Sequence, residues 1–158
     1  MGVKMRRKDR EIQNRDEIDE IITQAEVCRL GLSRDNRPYI VPVSFGYDGR
    51  CLYFHSAAKG MKIDYMLANP QVCFELEQDV QIVPHAEQAC KWGHAYTSVI
   101  GFGTVREITE TPRKIEAMNH IMRHYSGKDW EFDAQTLENT RLWCIDIEQV
   151  TGKQRDAK

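Results

Sequence analysis

The sequence predicts a mostly β fold with covering helices, arranged as a small antiparallel barrel, and three observations carry that expectation. Apolar runs that alternate with period two outnumber helical runs, and turn residues separate neighbouring runs closely enough for antiparallel pairing. No internal repeat, low-complexity stretch or Pro/Gly/Ser-rich linker divides the chain. With 158 residues, 41% of them hydrophobic, one domain can bury a core without disulfides or metals. Residues 1–158 therefore read as a single domain, with 1–14 as lead-in and 151–158 as a tail.

The elements follow in order. Met5 is a second candidate start, with Met1 to Lys4 ahead of it. Asn14 and Glu17 form a capping pair, and Ile18, Ile21, Ile22 and Ala25 recur at helical spacing, predicting a helix over 15–26. Val27 to Ser33 alternates as a strand, and Arg34-Asp35-Asn36-Arg37 supplies a turn. A second strand, Pro38 to Tyr47, presents Tyr39, Val41, Val43, Phe45 and Tyr47 on one face and the smaller Pro42, Ser44 and Gly46 with Ile40 on the other. Pro42 has no N–H to give a central ladder, so this strand is expected at an edge or a bulge. Asp48-Gly49 predicts a two-residue hairpin into a third strand around Leu52 to Phe54. A helix after Ser56 ends before Asn69-Pro70, and Gln71 to Val80 makes a fourth strand through Val72, Phe74 and Leu76. Gln81 to Gly93 reads as a loop, and Tyr96 to Ile108 as a fifth strand with Gly101 and Gly103 sharing a face. Thr111-Pro112 opens a helix on which Ile115, Met118, Met122 and Tyr125 hold helical spacing until Ser126-Gly127. A short helix near Leu137 and a sixth strand over Arg141 to Ile147 complete the reading.

Charge narrows the function classes. Against 24 Asp and Glu stand 22 Lys and Arg, a net charge of -2, so no overall attraction to nucleic acid or to an anionic membrane is expected. The amino-terminal segment is charged, and no stretch approaches the roughly 18 apolar residues of a membrane span. A cytoplasmic protein is expected. The five cysteines are scattered singly without C-x-x-C spacing and read as reduced thiols.

The densest chemistry lies in Leu52-Tyr53-Phe54-His55-Ser56-Ala57-Ala58-Lys59-Gly60-Met61-Lys62. A strand ends there on imidazole and hydroxyl, a helix begins, and two lysines follow, which together suit a phosphate. Metal readings are weaker. His120 and His124 share a helix face, but Ile121 stands where a zinc-protease motif needs glutamate. His85, Cys90 and His94 fall in one loop without a paired C-x-x-C and read as surface residues, so no metal is assigned.

The runs VCRLGLSRDNRPYIVPVSFGY, LYFHSAAKGMKIDYMLANPQVCFEL, CKWGHAYTSVIGFGTV and LWCIDIEQVTGKQ occur in an order that resembles the FMN-binding split-barrel family related to pyridoxamine 5'-phosphate oxidase. The H-S pair, the S-V-I-G-x-G strand and the terminal T-G-K are similar to its nitroimidazole-resistance branch. The resemblance implies a six-stranded antiparallel split β-barrel and a homodimer with FMN at two interface sites. It implies that Val41, Pro42, Val43 and Ser44 run beside the isoalloxazine, that His55 and Ser56 bond the ribityl or phosphate region, and that Lys62, with Lys59, meets the phosphate. From the second subunit Thr97 and Ser98 would approach the flavin, with Trp143 near the ring, and Phe54 and Val99 complete the cofactor-binding set. Met61 replaces an arginine found in the oxidase, which argues against pyridoxamine phosphate oxidation, and Thr97 replaces an arginine of many branch members. The implied activity is a flavin-dependent oxidoreductase of the nitroimidazole reductase type, taking electrons from a donor such as NAD(P)H to a small flat acceptor, with His55 as proton donor or substrate anchor. The alternatives are a flavin-binding or redox-sensing module without turnover and, ranked lower because no histidine follows His124, a haem-binding split barrel.

Overall fold

The computed structural model describes residues 5–156, so the reading of Met1 to Lys4 and the last two residues of the tail lie outside the described residues. Helix α1 (Arg15–Gln24) starts as its sequence demands. The Asn14 side chain accepts from the Asp16 N–H at 2.9 Å, and Ile18, Ile21 and Ile22 face the core. Strands β1 (Glu11–Ile12), β2 (Cys28–Arg34), β3 (Arg37–Val43), β4 (Gly46–Tyr47), β5 (Cys51–Ser56), β6 (Gln71–Val83), β7 (Gly93–Ile108) and β8 (Arg141–Arg155) form one antiparallel sheet. Helices α2 (Met61–Ala68), α3 (Thr111–Ser126) and α4 (Ala134–Asn139) cover it. Among the described residues the strands number eight rather than six.

The hydrogen-bonded order is β3-β2-β6-β7-β8-β5-β4, with β1 added on β8. Strands β3 and β4 end this path on opposite sides, yet only Ser44 and Phe45 separate them in the chain. Three residue steps span at most about 11 Å, so the sheet has to curl until its edges nearly meet. The result is a barrel split at the β3/β4 seam rather than a closed one. Pro42, without an N–H, sits on the edge strand as expected. The core lies inside the curl, with Leu30, Phe45, Phe54, Phe74, Leu76, Val99, Trp143 and Ile145 all at 2% exposure or less. Val72, Phe74 and Leu76 point inward as their alternation predicted.

Four departures have physical causes. The expected strand 38–47 breaks at Ser44-Phe45, where the buried Phe45 gives its N–H to the Tyr125 hydroxyl at 3.1 Å instead of to a neighbouring strand. The Asp48-Gly49 turn is shifted by one residue: Tyr47 pairs Leu52, the Asp48 N–H reaches the Cys51 carbonyl at 3.4 Å across Gly49-Arg50, and the Asp48 carboxylate accepts from the N–H groups of Arg50 and Cys51 at 2.8 and 2.7 Å. Asp35-Asn36 also makes a two-residue turn, both residues left-handed at φ 49° and 61°, between Arg34 and Arg37. Strands β6 and β8 run past their predicted ends, to Val83 and Arg155. In β6 a bulge with Asp79 at φ 56° interrupts the pattern, and in β8 the pairing passes from Gly103↔Ile147 to Phe102↔Gln149, leaving Glu148 as an extra residue. On α3 the buried face centres on Ala117 and Ile121, whereas Ile115 and Tyr125 of the predicted stripe are largely exposed.

Helix α3 presses on β4 so closely that a Cβ at Gly46 would lie 2.3 to 2.5 Å from the backbone of His120 and Ile121. Gly46→Ala is expected to cost about 1–3 kcal/mol through overpacking, seen as a lower urea midpoint at unchanged slope.

Candidate functional site

Alternation along β5 decides which side chains reach the surface at its end. Leu52, Phe54 and Ser56 turn into the barrel, while Cys51, Tyr53 and His55 turn outward, and only His55 of these six is exposed. After Ser56 the chain crosses Ala57 to Lys59 and reaches Gly60, whose φ of 150° suits glycine and whose missing side chain leaves α2 without a side-chain cap. The N–H groups of Ile63 and Asp64 both return to the Gly60 carbonyl, at 3.0 and 3.2 Å, so those of Met61 and Lys62 head the helix without an intrahelical partner. Lys62 acts on His55 electrostatically: loss of water first, and the lysine charge second, push the imidazole below its ordinary value of 6.5. His55, Lys62, the exposed Lys59 and the head of α2 thus share one corner.

Burial limits what several of the predicted residues can offer a ligand. Trp143 does not stand free beside a ligand ring: it is 2% exposed, lies 6.5 Å from Phe54 in a stacked arrangement, and has the Arg141 guanidinium 4.8 Å above it. Ser56 is 3% exposed, accepts from Trp143 Nε1 at 2.9 Å and donates its one proton to the Ala57 carbonyl at 3.0 Å. Its hydroxyl is committed to holding the strand end together. Val43, Phe54 and Val99 are interior as well, so toward any ligand they offer backbone rather than side chains, and Val41 packs half-buried against the core. Pro42, Ser44, Lys59 and His55 are exposed, and Lys62, Thr97 and Ser98 half-buried.

Thr97 and Ser98 do not join the His55 corner. Ser98 pairs Lys153 and His55 pairs Leu142, both on β8, and the 11 residues from Leu142 to Lys153 amount to roughly 36 Å of strand at about 3.3 Å each. One chain therefore carries two separated groups. Beside Ser98 the structure adds residues to which the sequence reading gave no role. Burial raises the Tyr96 phenol, but the hydrogen bond and charge of Lys153, then Arg10, outweigh it and leave the group below its ordinary value of 10. Lys153 was visible only as part of the T-G-K signature. The two histidines on α3 have structural partners: His124 Nε2 lies 2.7 Å from the Ala25 carbonyl, and His120 stacks on Tyr53 at 4.7 Å. Among the described residues no helix is long and apolar enough to cross a membrane.

Two predictions follow from the packing behind the corner. Ser56→Ala strands the buried Trp143 indole N–H and is expected to cost about 1–3 kcal/mol, with a changed near-ultraviolet circular dichroism. The Arg141 fork on Glu107, at 2.8 and 2.5 Å, holds that carboxyl below its ordinary 4.5. A carboxyl so depressed stabilises the fold above that value and loses the contribution as pH falls below it. The stability gap between the parent and Glu107→Gln, open at neutral pH, should close on acidification in urea titrations.

Comparison with known proteins agrees with this architecture. A structure from Bacteroides thetaiotaomicron, described as a candidate 5-nitroimidazole antibiotic resistance protein, superposes with a TM-score of 0.80 at 30% identity, covering 90% of this chain and 85% of that one. A FAD-binding protein of Mesorhizobium loti gives 0.69 at 26% identity, over 93% and 98% of the two chains. The FAD and haem binding protein of Mycobacterium smegmatis gives 0.82 at 16% identity, over 93% and 74%, a likeness of fold alone. Among curated proteins, an uncharacterized protein of Rhizobium meliloti (strain 1021) is 34% identical over 67 residues, which span 42% of this chain and 44% of that relative's length. The sequence profile of the pyridoxamine 5'-phosphate oxidase family matches residues 14–154, from the cap of α1 almost to the end of β8. A match of that extent, over the split barrel described above, makes this chain a member of the pyridoxamine 5'-phosphate oxidase family.

Proposed function

We propose that the chain binds FMN by its phosphate at the β5–α2 corner and works as a flavin-dependent oxidoreductase of the nitroimidazole reductase type on a small flat acceptor. The observation that carries this reading is the convergence of His55 and Lys62 on the uncapped head of α2. A dianionic phosphate is favoured by the helix dipole, by N–H groups with no side-chain cap, and by an ammonium on the first turn. The donor set fits such a group. Lys62 supplies charge, Lys59 a weaker contribution from the exposed approach, and His55 a ring hydrogen bond.

FMN, when bound, supplies the electron-carrying chemistry, and the protein's part is to hold it and the acceptor. A depressed histidine is neutral at pH 7, so His55 serves first as anchor, and an arriving dianion beside it favours uptake of a proton there. Pro42 on the edge strand and Ser44 just past its end offer a low surface along which a planar ring can lie, and the edge leaves backbone groups for it. Because Thr97 and Ser98 lie a long strand away from His55, they complete a site only from a second copy. A two-fold homodimer gives two equivalent sites, each with Thr97 and Ser98 of the partner subunit. The Bacteroides relative supports the nitroimidazole branch. Haem is disfavoured because His124, the last histidine, is held on the Ala25 carbonyl.

Lys62→Ala is expected to raise the FMN dissociation constant tenfold or more, about 1.4 kcal/mol, while leaving riboflavin, which lacks the phosphate, unaffected; His55→Ala should weaken FMN by less. Flavin fluorescence titration checks both. Equal loss of riboflavin and FMN would sink the phosphate assignment. Reduction of the bound flavin by NAD(P)H and reoxidation by a nitroimidazole separate an enzyme from a flavin-binding module without turnover.

A further inference from the structure

A second cluster lies on the outer face of the sheet, under α3. Strand register places Cys51 opposite Asp146 and Tyr53 opposite Cys144, so both thiols and the carboxylate share one face across β5 and β8. Cys51 is 5% exposed and Cys144 fully buried, between the sheet and Ala117 and Ile121 of α3. Both sulfurs aim at the same oxygen: Asp146 Oδ1 lies 3.3 Å from Cys51 Sγ and 3.9 Å from Cys144 Sγ, and all three atoms fall within 4.8 Å of one another.

We infer that Cys51 Sγ, Cys144 Sγ and Asp146 Oδ1 form a binding site for a soft divalent cation of the zinc type, with a fourth position open to water. A tetrahedral ion with bonds of about 2.3 Å to sulfur and about 2.1 Å to oxygen sets sulfur and oxygen about 3.6 Å apart. The observed separations bracket that edge. The carboxylate is also oriented from behind, since Arg106 Nε holds the other oxygen at 2.7 Å, as supporting partners do for metal ligands, while its Nη2 reaches Oδ1 itself at 3.4 Å, a long contact that shares that oxygen with the ion. Two thiolates, one carboxylate, the Arg106 cation and a divalent ion sum to zero charge, so the filled site places no net charge under the helix. Thiolate ligands select zinc over magnesium or calcium. The Asp146 side chain is 41% exposed, which gives the ion a route in from solvent and water a place to complete the shell. Binding displaces one proton from each thiol to solvent.

The spacing of the ligands explains why the sequence hides them. Ninety-three positions separate Cys51 from Cys144, and only the β5–β8 register joins them. The site is separate from the flavin corner and stands whether or not FMN binds.

The test is anaerobic titration of the reduced, metal-free full chain with Co²⁺. One cobalt per chain with a thiolate-to-metal charge-transfer band, displaced by Zn²⁺, is expected. Cys51→Ala and Cys144→Ala should abolish the band, Asp146→Asn should weaken cobalt at least tenfold, and Cys90→Ser, at an exposed thiol, should change nothing. Should the buried variants misfold by circular dichroism, the rim variant Asp146→Asn decides alone. The site is overturned by no band in the parent, by a band that survives both cysteine variants, by unchanged affinity in Asp146→Asn, or by loss of two titratable thiols to a Cys51–Cys144 disulfide in place of metal uptake.

Discussion

Ser44 and Phe45 are all the chain that joins one edge of the sheet to the other, and the shape of the molecule depends on that short tether. A flat sheet of seven strands in that order would hold β3 and β4 some 28 Å apart, six spacings of about 4.7 Å, far beyond what the link can reach. Curling is therefore forced by connectivity, and burial makes it favourable. Phe45 drops fully into the space the curl encloses, and its amide, which has no strand to bond, is met by the Tyr125 hydroxyl from α3. That same hydroxyl donates to the Glu26 carbonyl at 2.8 Å, so one phenol ties the seam, the long helix and the segment after α1 together.

The candidate site inherits its position from this arrangement. Strand β5 lies between the short β4 and the long β8, and its last residues emerge where the barrel stops and α2 begins. Trp143 and Ser56 lock the inner side of that exit while His55 and Lys62 face outward. Rigidity behind and donors in front are what a bound anion needs, because the helix head must already be in place when the ligand arrives.

Much of this was legible in the sequence, for reasons that can be named. The cap at Asn14, the inward row Val72, Phe74 and Leu76, the edge position of Pro42 and the change from strand to helix after Ser56 are local signals, each readable within a few residues. The far half of β8 was not legible, since Glu148 breaks the alternation and the residues beyond it are mostly polar. Nor was the commitment of Ser56 to Trp143, a bond across 87 positions that only the β5–β8 register creates. The hydroxyl stands at the strand end as read, and its proton goes to the Ala57 carbonyl. Asp48-Gly49 misled by one position because glycine chemistry marks a turn without fixing its register, which here puts Gly49-Arg50 at the tip beside the Asp48 carboxylate.

The bulge in β8 carries a consequence for how the family can vary. Before Glu148 the odd-numbered Trp143 and Ile145 point inward, and after it the even-numbered Val150 and Gly152 do. Glu148 sets the parity of everything that follows it on the strand. Its own side chain is exposed and accepts from the Thr104 hydroxyl at 2.5 Å, and removing the residue would turn Lys153 toward the interior and expel Val150. A surface position can thus be fixed in number whatever its side chain contributes, and length changes in this barrel belong in its loops rather than along its longest ladder.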